Sequence, residues 1–385
     1  MTAIGMCTFN IQDGYAESLL RSLRKGILSD QNYSSLRSCN SIKDIKGAFA
    51  GTDYEEFLKD FNEDDTTSLK NLLKKKLSDE VEYLQLVSGP QLQKFLQIIR
   101  HKYMIDNVIT IIEGNKNGNK EDVIKSRMEP LGYLPEINGL LKMKLQKIDE
   151  IYEDVLMDTE VGCYFFAFLE KELKSSENKG INIVENVLKD LKPEKIKNYL
   201  KKLWLENFYL FIEELDGTTR SMMQDLLDFE ADCQAIQVVY NSLIFDFSSN
   251  QEEERKKIIP FFGKLYPIIT NQLVKVTSVE MLKDALTPFP EYYNLVKDAP
   301  DPKKIEEFDL QSGLKTIDDY MFDETIKRCS IAFEQQFHYA SFYAYIRIKE
   351  QEIKNVIWLV ELIALGKLGD STSKLKKNYI LPFNY

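Results

Sequence analysis

The sequence predicts an all-α protein, and three observations support this fold class. Glycine and proline fall in clusters, and long segments such as 218–259 and 323–365 contain neither residue. Within these segments apolar residues recur at the spacing of a helix face, as at Phe333, Phe337 and Ala340. The β-branched run 107–112 has no partner segment with the alternating pattern of a strand, so we interpret it as the buried end of a helix.

One long helix is expected near the C-terminal end of the sequence. Asp323 is a candidate N-cap residue, and Gly366 is a candidate end of the same helix. The whole segment between them would then be a single helix that is aromatic on several sides and therefore buried among other helices.

Composition and charge narrow the class of protein. The chain has 385 residues, 44% of them hydrophobic and 29% charged, which is typical of a water-soluble globular protein. The formal net charge of −11 disfavours nucleic acid as a partner. The five cysteines are scattered without CxxC spacing, which favours free thiols in a reducing compartment. We find no signal peptide and no apolar stretch of about 20 residues that could span a bilayer.

Two sequence patterns repeat. An acid-x-acid motif at 228–236 recurs at 348–356, and a weaker copy at 102–108 keeps only its last two positions. A second pattern, 26–49, recurs at 263–286 with every offset unchanged, and a looser copy lies at 148–155. Repeated helical elements indicate copies of one unit. We predict three related helical units that form one continuous body, at 1–125, 126–255 and 256–385.

Searches for catalytic motifs are negative. The sequence contains no GxxxxGK[ST], GxGxxG, GxSxG or HExxH pattern. Its only histidines are His101 and His338, which leaves too few for a histidine metal site or a catalytic triad. We therefore expect no enzyme activity, no cofactor, no metal and no small-molecule substrate.

The repeated acids allow three interpretations. Residues two apart on a helix point to different faces, so neither Glu230 with Asp232 nor Glu350 with Glu352 converges by itself. The acids could form a solvated helix face, or an acidic surface for a basic partner. They could also act as general acid–base pairs.

Ordered stretches along the chain carry a family resemblance. They include Phe9-Asn10-x-x-Asp13-Gly14-Tyr15, Gly26-Ile27-Leu28-Ser29, Tyr103-Met104-Ile105-Asp106-Asn107, Phe229-Glu230-Ala231-Asp232 and Lys349-Glu350-Gln351-Glu352-x-x-Asn355. Together they resemble the family that holds subunit d of the vacuolar-type proton-pumping ATPases and its counterparts in the archaeal and bacterial rotary ATPases. The sequence departs from the family at Cys233 and Gln234, where basic residues are frequent, and in the lysine-rich segments 171–197 and 366–377.

The resemblance implies a funnel of helices with threefold pseudo-symmetry. It implies a non-catalytic rotor subunit of a V-type ATPase, which couples the central stalk of the ATP-hydrolysing sector to the proteolipid ring. Such a subunit would be a peripheral membrane protein on the cytoplasmic face of vacuolar or other endomembranes, with ring and stalk proteins as partners.

We expect the repeated acids and their neighbours to form a polar surface near a partner. This candidate surface consists of Asp228, Glu230, Asp232, Arg347, Glu350 and Glu352, with Trp358 and Glu361 nearby. Two alternatives from other classes stay open at this point: a free helical scaffold that binds peptides, and a helical hydrolase that uses the acid pairs.

Overall fold

The computed structural model describes residues 3–39, 41–59, 66–133, 159–175, 193–215, 217–244, 249–302, 316–364 and 379–383. Within these ranges every regular element is a helix, which confirms the all-α prediction. The α-helices are α1 (Ala3–Leu23), α2 (Asp30–Ser38), α3 (Ile42–Ala48), α4 (Thr66–Leu86), α5 (Pro90–Lys116), α6 (Glu121–Arg127), α7 (Gly162–Ser175), α8 (Pro193–Glu213), α9 (Gly217–Ser242), α10 (Ser249–Ile258), α11 (Ile268–Leu273), α12 (Val279–Leu286), α13 (Pro290–Val296), α14 (Ile317–Glu334) and α15 (Ala340–Ala364).

The chain divides into two compact units. The first consists of Met1–Gln93 with Phe211–Tyr385, and the second of Lys94–Leu210. This division does not test the predicted threefold repeat, which stays a prediction.

Helix α15 organises the core of the first unit. It packs along α14 and α4 and also contacts α1, α3 and α9. Its aromatic residues Phe342, Tyr343 and Tyr345 are buried, as expected for a helix surrounded by others. A second part of the same core surrounds the C-terminal half of α9, where apolar residues of α11, α12 and α13 pack together.

The segment between Asp323 and Leu365 is not the single helix that the sequence predicted. Helix α14 begins earlier, at Ile317, because Thr316 and Asp319 form a capping box. The helix then stops at Glu334, and Phe337 adopts a positive φ of 64° before α15 begins. The other predicted boundary, Gly366, lies outside the described residues.

Side chains of α1 account for the break between α14 and α15. The carboxylate of Glu17 accepts the backbone N–H of Phe337, with N···O distances of 3.2 and 3.3 Å. The guanidinium of Arg21 donates to the carbonyls of Phe333 and Gln335 at the end of α14. In this turn, contacts with a helix more than 300 residues away in sequence replace the hydrogen bonds that would continue α14. Local sequence patterns cannot predict such contacts.

The second unit has a core of aromatic residues on α5, α7 and α8. The indole N–H of Trp204 donates to the carbonyl of Ile98 at 2.6 Å, and the rings of Phe95 and Phe208 lie 5.5 Å apart. The run 107–112 lies inside α5, which confirms its interpretation as helix. Asn107 holds both backbone polar groups of Glu129, accepting its N–H at 2.7 Å and donating to its carbonyl at 2.9 Å.

Gly132 allows this segment to touch the backbone of α5. A Cβ atom at Gly132 would lie 2.3 Å from the carbonyl carbon of Tyr103 and 2.6 Å from the nitrogen of Met104. Because backbone atoms of a packed helix cannot move aside, only glycine fits at this position.

We predict that Gly132→Ala destabilises the protein by about 2–3 kcal/mol, because the new methyl group overlaps main-chain atoms. Urea denaturation followed by circular dichroism measures the change. Gly47→Ala is the matched control: no atom lies within 4 Å of its Cβ position, and in α3 the change should be neutral or stabilising by about 0.5–1 kcal/mol. Equal effects of the two variants would contradict the packing argument.

Candidate functional site

The second acid repeat centres on a fully buried ion pair. Glu352 and Lys349 of α15 are each 1% exposed, and Lys349 Nζ lies 2.6 Å from Glu352 Oε1. The other carboxylate oxygen accepts the backbone N–H of Leu28 at 2.5 Å. Tyr54 donates its hydroxyl to Glu352 Oε1 at 2.6 Å. The carboxylate thereby ties α15 to two segments of the N-terminal region, and the charge of the buried pair sums to zero.

The first acid repeat makes the same kind of contact without a cation. Asp232 of α9 is also 1% exposed. Its carboxylate accepts the backbone N–H groups of Lys264 at 3.0 Å and Leu265 at 3.2 Å, and the hydroxyl of Tyr292 at 2.5 Å. Among the residues that the structure describes, no lysine or arginine pairs with Asp232.

In the folded protein, both full copies of the acid repeat therefore contact the matching copies of the glycine-containing repeat. Glu352 binds Leu28 in the segment Gly26-Ile27-Leu28. Asp232, the matching acid, binds Leu265 in the matching segment Gly263-Lys264-Leu265. We call each such arrangement, a buried carboxylate that accepts a backbone N–H and a tyrosine hydroxyl, a carboxylate clamp.

A third carboxylate clamp was missed by the sequence analysis. Asp13 of α1 is 1% exposed, accepts the N–H of Gly89 at 2.7 Å and accepts the hydroxyl of Tyr339 at 3.0 Å. The available signal was an acid on the apolar face of α1, together with a glycine in the turn before α5. It was weak because Asp13 has no repeated acid beside it.

Burial changes the acidity of the α9 carboxylates. It raises the pKa of Asp232 to about 6, although the hydrogen bonds from Tyr292, Leu265 and Lys264 act in the opposite direction. Burial likewise raises the pKa of Asp228 to about 6, against the attraction of Lys264. One turn of helix separates the two acids, so each charge also disfavours the other.

The structure corrects part of the predicted polar surface. Asp232 and Glu352 cannot belong to a surface, because both are buried in clamps. Their motif partners Glu230 and Glu350 are partly exposed: Glu230 accepts a hydrogen bond from Tyr343, and Glu350 pairs with Arg347 at 3.1 Å. Residues two apart do face different sides, so each repeat divides into one buried acid and one at the surface.

The remaining predicted residues lie on partly exposed faces of the first unit. Asp228 and Trp358 are both partly exposed. Glu361, near the end of α15, forms an ion pair with Lys70 of α4. Arg347 and Glu350 line a shallow depression between α14 and α15, where Lys354 Nζ lies 3.9 Å from the ring centroid of Phe322. Three of the predicted residues, Glu230, Arg347 and Glu350, lie close enough to one another to act together on the Cys329 thiol. The buried acids Asp232 and Glu352 belong to two separate clamps.

Within the described parts of the chain, no cluster of three or more His, Cys, Asp or Glu residues has the geometry of a metal site. None of the described helices is long and apolar enough to cross a bilayer.

Comparison with known proteins decides the family. The family model of the ATP synthase (C/AC39) subunit matches residues 16–371. The chain belongs to this family. It is 33% identical over 362 residues to a probable V-type proton ATPase subunit d of Oryza sativa subsp. japonica, covering 93% of this chain and 94% of the rice protein.

Other C/AC39-type relatives agree. The V-type proton ATPase subunit d of Dictyostelium discoideum is 31% identical over 379 residues, which is 98% of this chain and 97% of that protein. The subunit d of Saccharomyces cerevisiae is 32% identical over 359 residues, covering 92% and 94% respectively. The clamps of Asp232 and Glu352 lie inside the range matched by the family model, whereas Asp13 precedes it.

We predict that Lys349→Met destabilises the protein by about 3–5 kcal/mol, because it leaves the charge of Glu352 buried without a partner. Lys349→Met combined with Glu352→Gln should recover about half of the loss or more, since no unpaired charge then remains. The exposed Lys354 of the same helix supplies the control, Lys354→Met, with a change below about 1 kcal/mol. Urea denaturation measures the free energy of unfolding of the three variants. A double variant that is as unstable as Lys349→Met would refute this explanation.

The raised pKa of Asp232 predicts a pH dependence of stability. In the folded protein this acid has a pKa of about 6, against 3.8 for an unperturbed aspartate, so the folded state binds the proton more tightly. This contribution to stability is complete below the unfolded pKa and is lost as pH rises through about 6. Between about pH 4 and about pH 7, wild type should lose on the order of 2 kcal/mol relative to Asp232→Asn.

Denaturation series at several pH values measure this difference. Asp79→Asn, which removes an exposed carboxylate from α4, is the matched control. A difference between Asp232→Asn and wild type that does not change with pH would show that burial does not alter the acidity of Asp232.

Proposed function

We propose that this chain is a non-catalytic rotor subunit of a vacuolar-type proton-pumping ATPase, where it couples the central stalk of the ATP-hydrolysing sector to the proteolipid ring. The observation that carries the proposal is similarity over more than nine-tenths of the chain to proteins named V-type proton ATPase subunit d. A peripheral position on the cytoplasmic face of vacuolar or other endomembranes belongs to the same proposal.

The carboxylate clamps support a mechanical role. A part that passes torque between two partners must resist local deformation, and closely packed helices provide such resistance. In this chain the loops are fixed as well, because buried carboxylates bind their backbone N–H groups directly. Hydrogen bonds to charged groups are about twice as strong as those between neutral groups, which makes these loops part of the rigid body.

Exposed apolar side chains support the presence of partners. On α1 and α4 the side chains of Ile11, Tyr15 and Leu86 are 84%, 63% and 73% exposed. Tyr83 of α4 forms a hydrogen bond with Tyr15 and extends this surface. Groups of large apolar residues on a surface are typical of protein contacts. The partly exposed pair Arg347 and Glu350 would contribute a polar contact.

Purification from membranes tests the function directly. A tagged form of the full chain, extracted in mild detergent, should bring down proteolipid ring and central-stalk proteins that mass spectrometry identifies. Depletion of the chain should abolish acidification of the organelle. Recovery of the chain alone, from the soluble fraction, would instead favour a free helical scaffold.

We predict that exchanging the charges of one surface pair, by Arg347→Glu with Glu350→Lys, reduces assembly and proton transport. The exchange keeps an internal ion pair at the same spacing but reverses the pattern that a partner meets. Co-purification of the other ATPase proteins and ATP-driven proton uptake by vesicles measure the effect.

The pair Glu56 and Lys59 provides the matched control, because it has the same three-residue spacing and is well exposed. Its exchange, Glu56→Lys with Lys59→Glu, should leave assembly and transport unchanged. Full assembly and transport in the Arg347–Glu350 exchange would remove this pair from the proposed contact surface.

A further inference from the structure

We propose that Asp232 and Asp228 form a proton-binding site at the base of the loop that joins α10 to α11, and that protonation there changes how α9 holds this loop. We call residues 259–267 the Gly263 loop. The inference goes beyond the proposed function and does not depend on it, since it concerns contacts within the chain itself.

The Gly263 loop lies directly on the carboxylate of Asp232 and on the backbone of Asp228. Gly263 has a φ of 118°, and a Cβ atom there would lie 2.4 Å from Asp232 Oδ1 and 3.4 Å from the carbonyl oxygen of Asp228. The next two residues of the loop donate their N–H groups to Asp232. This contact leaves no space for water between the loop and the Asp232 carboxylate, which is 1% exposed.

Charged groups surround the site, but its cations engage other carboxylates. Lys264 of the loop lies 3.0 Å from Asp225 and 3.9 Å from Glu291. Arg328 of α14 contacts the same two acids at 3.1 and 2.8 Å. The titratable groups that face the site are, on α9, Asp225, Asp228, Glu230 and Cys233; on the loop, Lys264; on α13, Glu291 and Tyr292; on α14, Glu324 and Arg328; and on α15, Tyr343 and Arg347.

The clamp of Glu352 contains a buried cation that the clamp of Asp232 lacks. Lys349 lies three residues before Glu352 and supplies a buried cation at 2.6 Å. The residue three before Asp232 is Phe229, which is buried and apolar. Both carboxylates thus accept a leucine N–H and a tyrosine hydroxyl, while only Glu352 has its own counter-charge.

Protonation must rearrange the hydrogen bonds of Asp232. Lys264 N–H and the Tyr292 hydroxyl both donate to Oδ2, and Leu265 N–H donates to Oδ1. A proton on either oxygen adds a donor and reduces the capacity of that oxygen to accept, so the hydrogen bonds of the clamp rearrange while the buried charge is removed. The pKa values of about 6 bring this change close to neutral pH.

The loop that responds also carries exposed apolar groups. Phe261 and Tyr266 are 55% and 41% exposed, and Ile268, the first residue of α11, is 71% exposed. A change in the hydrogen bonds that hold Lys264 and Leu265 would therefore alter the positions of the exposed apolar side chains that flank them.

Hydrogen–deuterium exchange of the full-length chain tests the proposal, with rates corrected for the intrinsic effect of pH. Between about pH 7.5 and about pH 5, protection of the Lys264 and Leu265 amides should rise about five- to tenfold, because the closed loop, in which Asp232 is buried, binds the proton more tightly than an open loop that exposes this acid. The amide of Leu28, held by Glu352, is the control within the same molecule, and its protection should stay constant.

Variants separate the two acids. In Asp232→Asn, corrected protection at Lys264 and Leu265 should no longer depend on pH. In Asp228→Asn, the change should move to lower pH, because one neighbouring negative charge is gone. Wild-type protection at Lys264 and Leu265 that stays constant or falls as the pH is lowered would overturn the proposal. An equal rise at Leu28 would overturn it as well. None of these results requires a variant to fold.

Discussion

Buried carboxylates that bind backbone N–H groups are the interaction on which the first unit depends. Loop segments beside Leu28, Gly89 and Leu265 have N–H groups with no helical partner, and a buried N–H without an acceptor is costly. A carboxylate satisfies such a group from a helix distant in sequence, and a tyrosine hydroxyl satisfies the remaining lone pairs. Each clamp therefore fixes a helix, a loop and an aromatic side chain in one step.

The clamps show that backbone geometry and charge balance are separate requirements. Glu352 and Asp232 hold equivalent loops, yet only Glu352 has a lysine ammonium paired with it. An acceptor oxygen is enough to hold a loop, so repeated units can keep the contact while differing at the position of Lys349 and Phe229. The cost of omitting the cation is the burial of a net charge, which the raised pKa of Asp232 reflects.

The sequence predicted the fold class and the helical nature of 107–112, and it singled out Asp232 and Glu352, but it placed these two acids at a surface. The acid repeat marked Asp232 and Glu352 as surface residues, because carboxylates are seldom fully buried. The repeated segments that begin at Gly26 and Gly263 explain why these acids are buried, since each segment supplies a backbone N–H group that the acid binds. The break after Glu334 could not be predicted, because Glu17 and Arg21 of α1 determine it.

A protein held together by carboxylate clamps can be rigid at some loops and responsive to pH at others. Where the buried charge is balanced, as in the pair of Lys349 with Glu352, taking up a proton would leave a net positive charge inside the protein. Where the charge is unbalanced, as at Asp232, taking up a proton removes a buried charge, and the fold favours it. A protein with clamps of both kinds would be rigid at most of its loops. At the Gly263 loop, where Phe261 and Tyr266 are exposed, it would respond to pH.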